Sequence, residues 1–216
     1  MVTLTQKQTN RIAAVLALFY LVGVLGFSLA ATAPFFHSLT GYTILGSFLV
    51  LLVTHREHTL RFWVLATLVF LGGFFIEMIG VNTGHVFGEY IYGIHLGPKL
   101  GHTPLLIGVN WLMLIYMVWA LIQDWAQPFL VKTTIGAVLM TGYDLFLEPI
   151  AMETNMWTWP NQVVPVQNYL AWLLVSWLFL ALFNWGKISF KNPLAVPLFI
   201  IQLLFFVVLN VIHHVG

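Results

Sequence analysis

Charge is the scarcest property of this sequence. Only 7% of its 216 residues are Asp, Glu, Lys or Arg, and the formal net charge is +1. A soluble domain averages about 25% charged and about 45–50% apolar residues. Here 60% are hydrophobic and the mean hydropathy is +0.93. No basic cluster exists, which argues against nucleic-acid binding. Cysteine is absent, and with it disulfides, iron–sulfur clusters and thiol catalysis, though its absence says nothing of compartment. There is no G-x-x-x-x-G-K-[ST] loop for a nucleotide and no aspartate-rich motif of the prenyl-transferase kind. The last apolar run, 194–212, has no lysine for a retinal-type Schiff base. No internal repeat, low-complexity tract or domain boundary is visible. Residues 1–216 read as one polytopic membrane domain.

What the chain has in abundance is apolar runs. A membrane span needs about 20 mostly apolar residues, and seven candidates lie at 12–31, 36–54, 62–81, 104–123, 130–149, 169–185 and 194–212. The expected fold is an all-α integral membrane bundle of about seven transmembrane helices. The first run ends in "SLAATA", which resembles a signal-peptide cleavage site. It exceeds the usual h-region of about 7–15 residues, so a first helix is the preferred reading. Basic residues stay on the cytoplasmic side. Lys7, Arg11, Arg56, Arg61, Lys132, Lys187 and Lys191 fall on one set of connections, and Lys99 alone on the other. That bias places the N-terminus in the cytoplasm and the C-terminus outside, across the cell membrane.

The outer side then collects the polar chemistry. Glu77, Glu89, Asp144, Glu148 and Glu153 fall there, with His37, His85, His95, His102, His213 and His214 and both long connections. Glu77 lies roughly 6 Å inside one span end, Asp144 about 8 Å inside another, and Asn110-Trp111 about 10 Å down a third. A carboxylate in a membrane costs about 2.5–3.5 kcal/mol on insertion scales and usually faces the bundle interior. These groups are expected to converge. Asp144 and Glu148, four apart, share one helix face. Two such carboxylates cannot both ionise cheaply, so one is expected to hold a proton.

Each feature also has a plainer explanation. Glu148, just before Pro149, reads equally as an interfacial helix-end residue. Gly80 suits close helix packing, while Gly84 and Gly88 suit a turn. Trp157 and Trp159 fit an aromatic belt or a lid of π-faces over an apolar substrate, joined by Tyr90, Tyr92, Tyr143, Trp111 and Trp172. Scattered outer histidines could converge on a metal, but His55 and His58 form a lone H-x-x-H on the other side, and no metal site is assigned.

The pattern E-x-x-G-x-x-T-G-x-x-F-G-x-Y-x-Y is met by Glu77, Gly80, Thr83, Gly84, Phe87, Gly88, Tyr90 and Tyr92, followed by Leu96-Gly97, Pro104 and Asn110-Trp111. D-x-x-x-E-P is met by Asp144, Glu148 and Pro149, leading to the W-x-W of Trp157 and Trp159. V-P-x-x-N-[FY]-x-x-W is met by Val164, Pro165, Asn168, Tyr169 and Trp172, with Val163 where glycine is expected. Over most of residues 60–185 the chain resembles the membrane carotenoid-biosynthesis hydratases, the family that includes bisanhydrobacterioruberin hydratase and γ-carotene 1′-hydroxylase.

The resemblance implies a cofactor-independent hydro-lyase that adds water across the terminal C1=C2 bond of an acyclic carotenoid ψ-end, giving a 1(1′)-hydroxy carotenoid. Its partners would be a lipophilic carotenoid, membrane lipids and other enzymes of the pathway. A positioned acid must protonate C2, aromatic faces must tolerate the tertiary cation at C1, and a base must take a proton from the attacking water. Asp144, held protonated beside Glu148, is the expected acid and Glu77 the expected base, though the sequence does not order the two roles. Asn110 and Thr83 would hold the water. Trp111, Tyr143, Trp157 and Trp159 would line the cation, with Tyr90, Asn168 and Trp172 completing the wall. Two alternatives stand: a related carotenoid cyclase or isomerase, which would quench the same cation by proton loss, and a non-enzymatic proton-coupled lipid transporter.

Overall fold

Inside a bilayer every backbone N–H and C=O must find its partner within the protein, which leaves an apolar chain the helix as its main element. The computed structural model describes residues 4–215, and helices make up most of them. In chain order they are α1 (Gln6–Ser28), α2 (Ala33–Ser38), α3 (Thr40–Thr54), α4 (Leu60–Thr83), α5 (Leu106–Ile122), α6 (Phe129–Glu153), α7 (Val166–Trp185) and α8 (Ala195–Val215). Four two-residue strands lie in the long connections: β1 (Ile91–Tyr92), β2 (Lys99–Leu100), β3 (Thr103–Pro104) and β4 (Trp157–Thr158). The side chain of His214 lies outside the described residues.

Five helices, α1, α4, α6, α7 and α8, are long and apolar enough to cross a membrane. The expected runs at 36–54 and 104–123 yield shorter apolar helices of 15 and 17 residues. The first breaks at Leu39, which separates α2 from α3. The second starts late because Thr103 and Pro104 pair with Leu100 and Lys99 in a hairpin. Helix α6 runs on through Pro149 to Glu153, past its expected end. The outward faces carry large apolar side chains, among them Val15, Leu18 and Leu25 on α1, Leu68 on α4 and Leu178 on α7. Exposed apolar surface on this scale suits lipid. The protein is an all-α, multi-pass membrane bundle.

Helix α5 is the central post. A helix apolar all round must be buried all round, and Leu114, Ile115, Met117, Val118 and Ile122 are fully enclosed. Its approach to α4 is very close, because a Cβ at Gly73 would lie 2.6 Å from the Cβ of Trp111. At the end of the bundle remote from the long connections, a polar knot ties three segments. His55 stacks on Phe62 at 4.1 Å and hydrogen-bonds the Tyr116 hydroxyl at 2.9 Å. Asn192 donates to that same hydroxyl at 2.9 Å and to the Leu51 carbonyl at 2.8 Å.

Candidate functional site

The C-terminal ends of α4 and α6 and the first turns of α5 and α7 meet at one end of the bundle, under the two long connections. Three carboxyl side chains are buried there: Glu77 is 5% exposed, Glu148 2% and Asp144 0%. The convergence expected from their depth is present.

Glu77 is held by donors alone. The Tyr90 and Tyr92 hydroxyls donate to its Oε2 at 2.5 and 2.7 Å, and the Trp111 indole N–H donates to its Oε1 at 2.9 Å. Burial first, and the neighbouring Glu77 second, push both phenols well above the usual tyrosine range. Both therefore remain O–H donors. Glu148 is held on the same plan. The indole N–H groups of Trp157 and Trp159 donate to its Oε2 at 2.8 and 2.7 Å, and the Asn168 amide donates to its Oε1 at 3.1 Å. In both cages an aromatic-x-aromatic pair from the connection meets one oxygen, and a donor from the start of the next helix meets the other. The sequence has no repeat, but the hydrogen-bonding plan occurs twice.

The two connections are tied to each other. Strands β1 and β4 pair antiparallel, with Ile91 opposite Thr158 and Tyr92 opposite Trp157. Tyr90 and Trp159 pack at 4.8 Å between ring centroids, Tyr92 and Trp157 at 6.0 Å. Beneath them Trp111 and Trp172 stack at 4.3 Å. Gly93 lets the strands close, since a Cβ there would lie 1.8 Å from the Asn155 carbonyl oxygen.

The plan is broken at one place. Four residues before Glu148 stands Asp144, whereas four before Glu77 stands Gly73. The Asn168 amide bridges the acid pair, giving one N–H to Asp144 Oδ2 at 2.8 Å and one to Glu148. Asp144 Oδ1 is buried without a hydrogen-bond partner.

Two cavities adjoin this cluster. The smaller, of about 20 Å³, is bounded by Glu77, Glu148, Asn110 and Asn168 and by aromatic rings including Trp111 and Trp172. It has room for about one water. The larger, of about 120 Å³, is almost wholly apolar and reaches α1, α2, α3 and α8. Ile107, Asn110 and Trp157 line both. Among the described residues the Asn110 amide has no hydrogen-bond partner.

Most of the expected residues thus share the small cavity: Glu77, Glu148, Asn110, Trp111, Tyr90, Trp157, Trp159, Asn168 and Trp172. Three do not. Asp144 sits behind Asn168 and lines neither cavity. Tyr143 lines the apolar cavity and donates to Gln202 Oε1 at 3.3 Å. Thr83 is exposed and spends its hydroxyl on the Ile79 carbonyl at 2.7 Å. Glu148 is no interfacial residue, and Trp157 and Trp159 are no headgroup belt, since all three are buried against one another. Gly80 admits the Phe87 ring, 2.6 Å from where its Cβ would stand, rather than another helix. Gly84 and Gly88 do form turns at positive φ. Among the described residues no three His, Asp or Glu side chains are grouped to hold a metal ion. Sequence alone gives Tyr92 no more than a place in the wall. Its spacing from Tyr90, matching that of Trp157 and Trp159, was the available signal for a role at Glu77. Ile107 carried none.

Residues 38–216 match the family model described as carotenoid biosynthesis protein. A bisanhydrobacterioruberin hydratase from Haloarcula japonica is 34% identical over 121 residues, which are 51% of this chain and 41% of that protein. The chain therefore spans about two-fifths of the curated relative it matches. No solved structure matches it. With the match running from residue 38 to residue 216, across every helix that supplies the buried acids and their donors, the chain belongs to the carotenoid biosynthesis protein family.

Proposed function

We propose that the protein is a carotenoid 1,2-hydratase. The observation that carries this reading is a cell with room for about one water, held between two caged carboxyls and sharing Asn110, Ile107 and Trp157 with an apolar chamber. Such a cell delivers water to one end of a hydrocarbon and keeps it from the rest. A cyclase or isomerase has no use for a water position. The name of the Haloarcula japonica relative supports the same chemistry.

The roles follow from the break in the plan. The acid pair is Asp144 and Glu148, which share a single amide. One proton between them relieves the repulsion of two buried like charges. Asp144 Oδ1, which has no donor, leaves a place for it. Glu148 is the member that faces the cell, so Glu148 delivers the proton to C2, and Asp144 favours the protonated form of the pair. The electron pair of the C1=C2 bond forms the new C–H bond, leaving a tertiary cation at C1. The stacked Trp111 and Trp172 rings flank that cation. Water held by Asn110 attacks C1, and Glu77, which has Gly73 rather than a second acid four residues before it, accepts the released proton. Return of that proton from Glu77 to Glu148 closes the cycle. One alkene and one water give one alcohol, with no change in oxidation state overall.

We assign this end of the bundle to the outer face of the cell membrane, with the N-terminus inside, a reading the basic-residue bias supports. The test is isotopic. Membranes supplied with lycopene or γ-carotene in H₂¹⁸O should give a labelled hydroxy carotenoid, with or without air. Label taken from O₂ would overturn the reading, and so would a product of unchanged mass.

A further inference from the structure

We infer that the apolar chamber is the seat of the polyene arm and that the arm enters it sideways from the lipid, through a window between α1 and α3. This deepens the hydratase reading and rests on it for the identity of the ligand.

The window is defined on every side. Phe19, Val22 and Gly26 lie on one stripe of α1, at spacings of three and four residues. The top of that stripe is sealed, since a Cβ at Gly26 would lie 2.3 Å from the Phe36 ring of α2. Six residues earlier on α1 the Tyr20 hydroxyl bonds Ser47 Oγ of α3 at 2.8 Å and closes the floor. Between these closures Val22 lines the chamber and faces outward, 46% exposed, and Phe19, 52% exposed, lines it at the level of the floor. Thr43 and Ile44 of α3 line the chamber opposite them.

The chamber fits one occupant. Its wall is apolar, and its inner end borders the one-water cell, with Asn110, Ile107 and Trp157 lining both. An acyclic C40 polyene is roughly as long as the bilayer hydrocarbon is thick, about 30 Å. A chamber of about 120 Å³ holds only the part beside the reacting end. The rest must leave through an apolar opening, and the gap beside Val22 faces the hydrocarbon that already surrounds α1. The substrate class is therefore a long linear isoprenoid with one free terminal double bond, taken end-first.

The protein contains no cysteine, so single cysteines report one position each. Val22→Cys and Thr43→Cys are made alongside Leu18→Cys, a lipid-facing control that lines no cavity. Each is labelled with a membrane-permeant maleimide, in membranes with and without lycopene. Lycopene should slow labelling at positions 22 and 43 by about tenfold and leave position 18 unchanged. Val22→Trp should cut conversion of lycopene about tenfold, while Leu18→Trp, at the position that lines no cavity, converts it normally. Equal labelling at all three positions, with full conversion by Val22→Trp, would overturn the window and leave the hydratase reading intact. Protection at 22 and 43 without any alcohol from the unaltered protein would support the window and remove the hydratase reading.

Discussion

At the scale of the residue, donors outnumber acceptors around the two facing acids. Glu77 and Glu148 each take three hydrogen bonds and give none. Either acid replaced by its amide keeps the shape of its cage but meets N–H and O–H groups with an NH₂. Glu77→Gln and Glu148→Gln should each lower turnover by about 10²–10⁴, the usual worth of a general acid or base. Asp144→Asn should cost less than either, because Asp144 touches the cell only through Asn168. Hydroxy carotenoid measured by mass in membranes of matched protein content tests this ranking, and equal losses at all three would remove the assignment. The positions of Glu77, Asp144 and Glu148 were legible because carboxylates are so costly in lipid that their presence near span ends implies company. Which of the three faces the cavity was not legible. That depends on Asn168 standing between Asp144 and the cavity, a contact across 24 residues that neither helix spacing nor hydropathy encodes.

At the scale of the element, the two long connections act as one lid. The β1–β4 pairing is only two residues long, yet it brings Tyr92 and Trp157 side by side over their respective acids. Gly93→Ala drives a methyl group into the Asn155 carbonyl and should part the strands. We expect at least about a tenfold loss of turnover, with far-UV circular dichroism of the helices unchanged. Full activity would show the ladder to be dispensable. Hydropathy located these connections and their turn glycines, but two-residue strands leave no alternating pattern to read. Hydropathy also placed the apolar helices, since composition alone decides which runs suit lipid. It overran where local chemistry intervened: the hairpin at Thr103-Pro104 shortened α5, and the break at Leu39 split the second run.

At the scale of the whole molecule, the end of the bundle opposite the site makes its own prediction. Burial lowers the pKa of His55 below its ordinary value. The unfolded chain then binds more protons than the folded one as pH falls through about 6.5. This contribution is full above that pH and is lost below it. Thermal unfolding in detergent should therefore show stability falling between about pH 7 and pH 5, and the slope should lessen in His55→Asn. An unchanged slope in the variant would assign the effect to other groups.

The twofold plan of the cages has a consequence for biogenesis. Every donor to Glu77 comes from within 34 residues of it, and every donor to Glu148 from within 20. Each acid is thus clothed by its own helical hairpin, and an emerging chain need not wait for the second hairpin before shielding the first acid from lipid. Both hairpins carry their own cover, and the connection at 123–128 joins them without contributing a donor to either acid. The chain cut within that connection and co-expressed as two fragments should reassemble in the membrane, copurify and recover turnover. Fragments that insert separately but never associate would show that the cages depend on continuous synthesis.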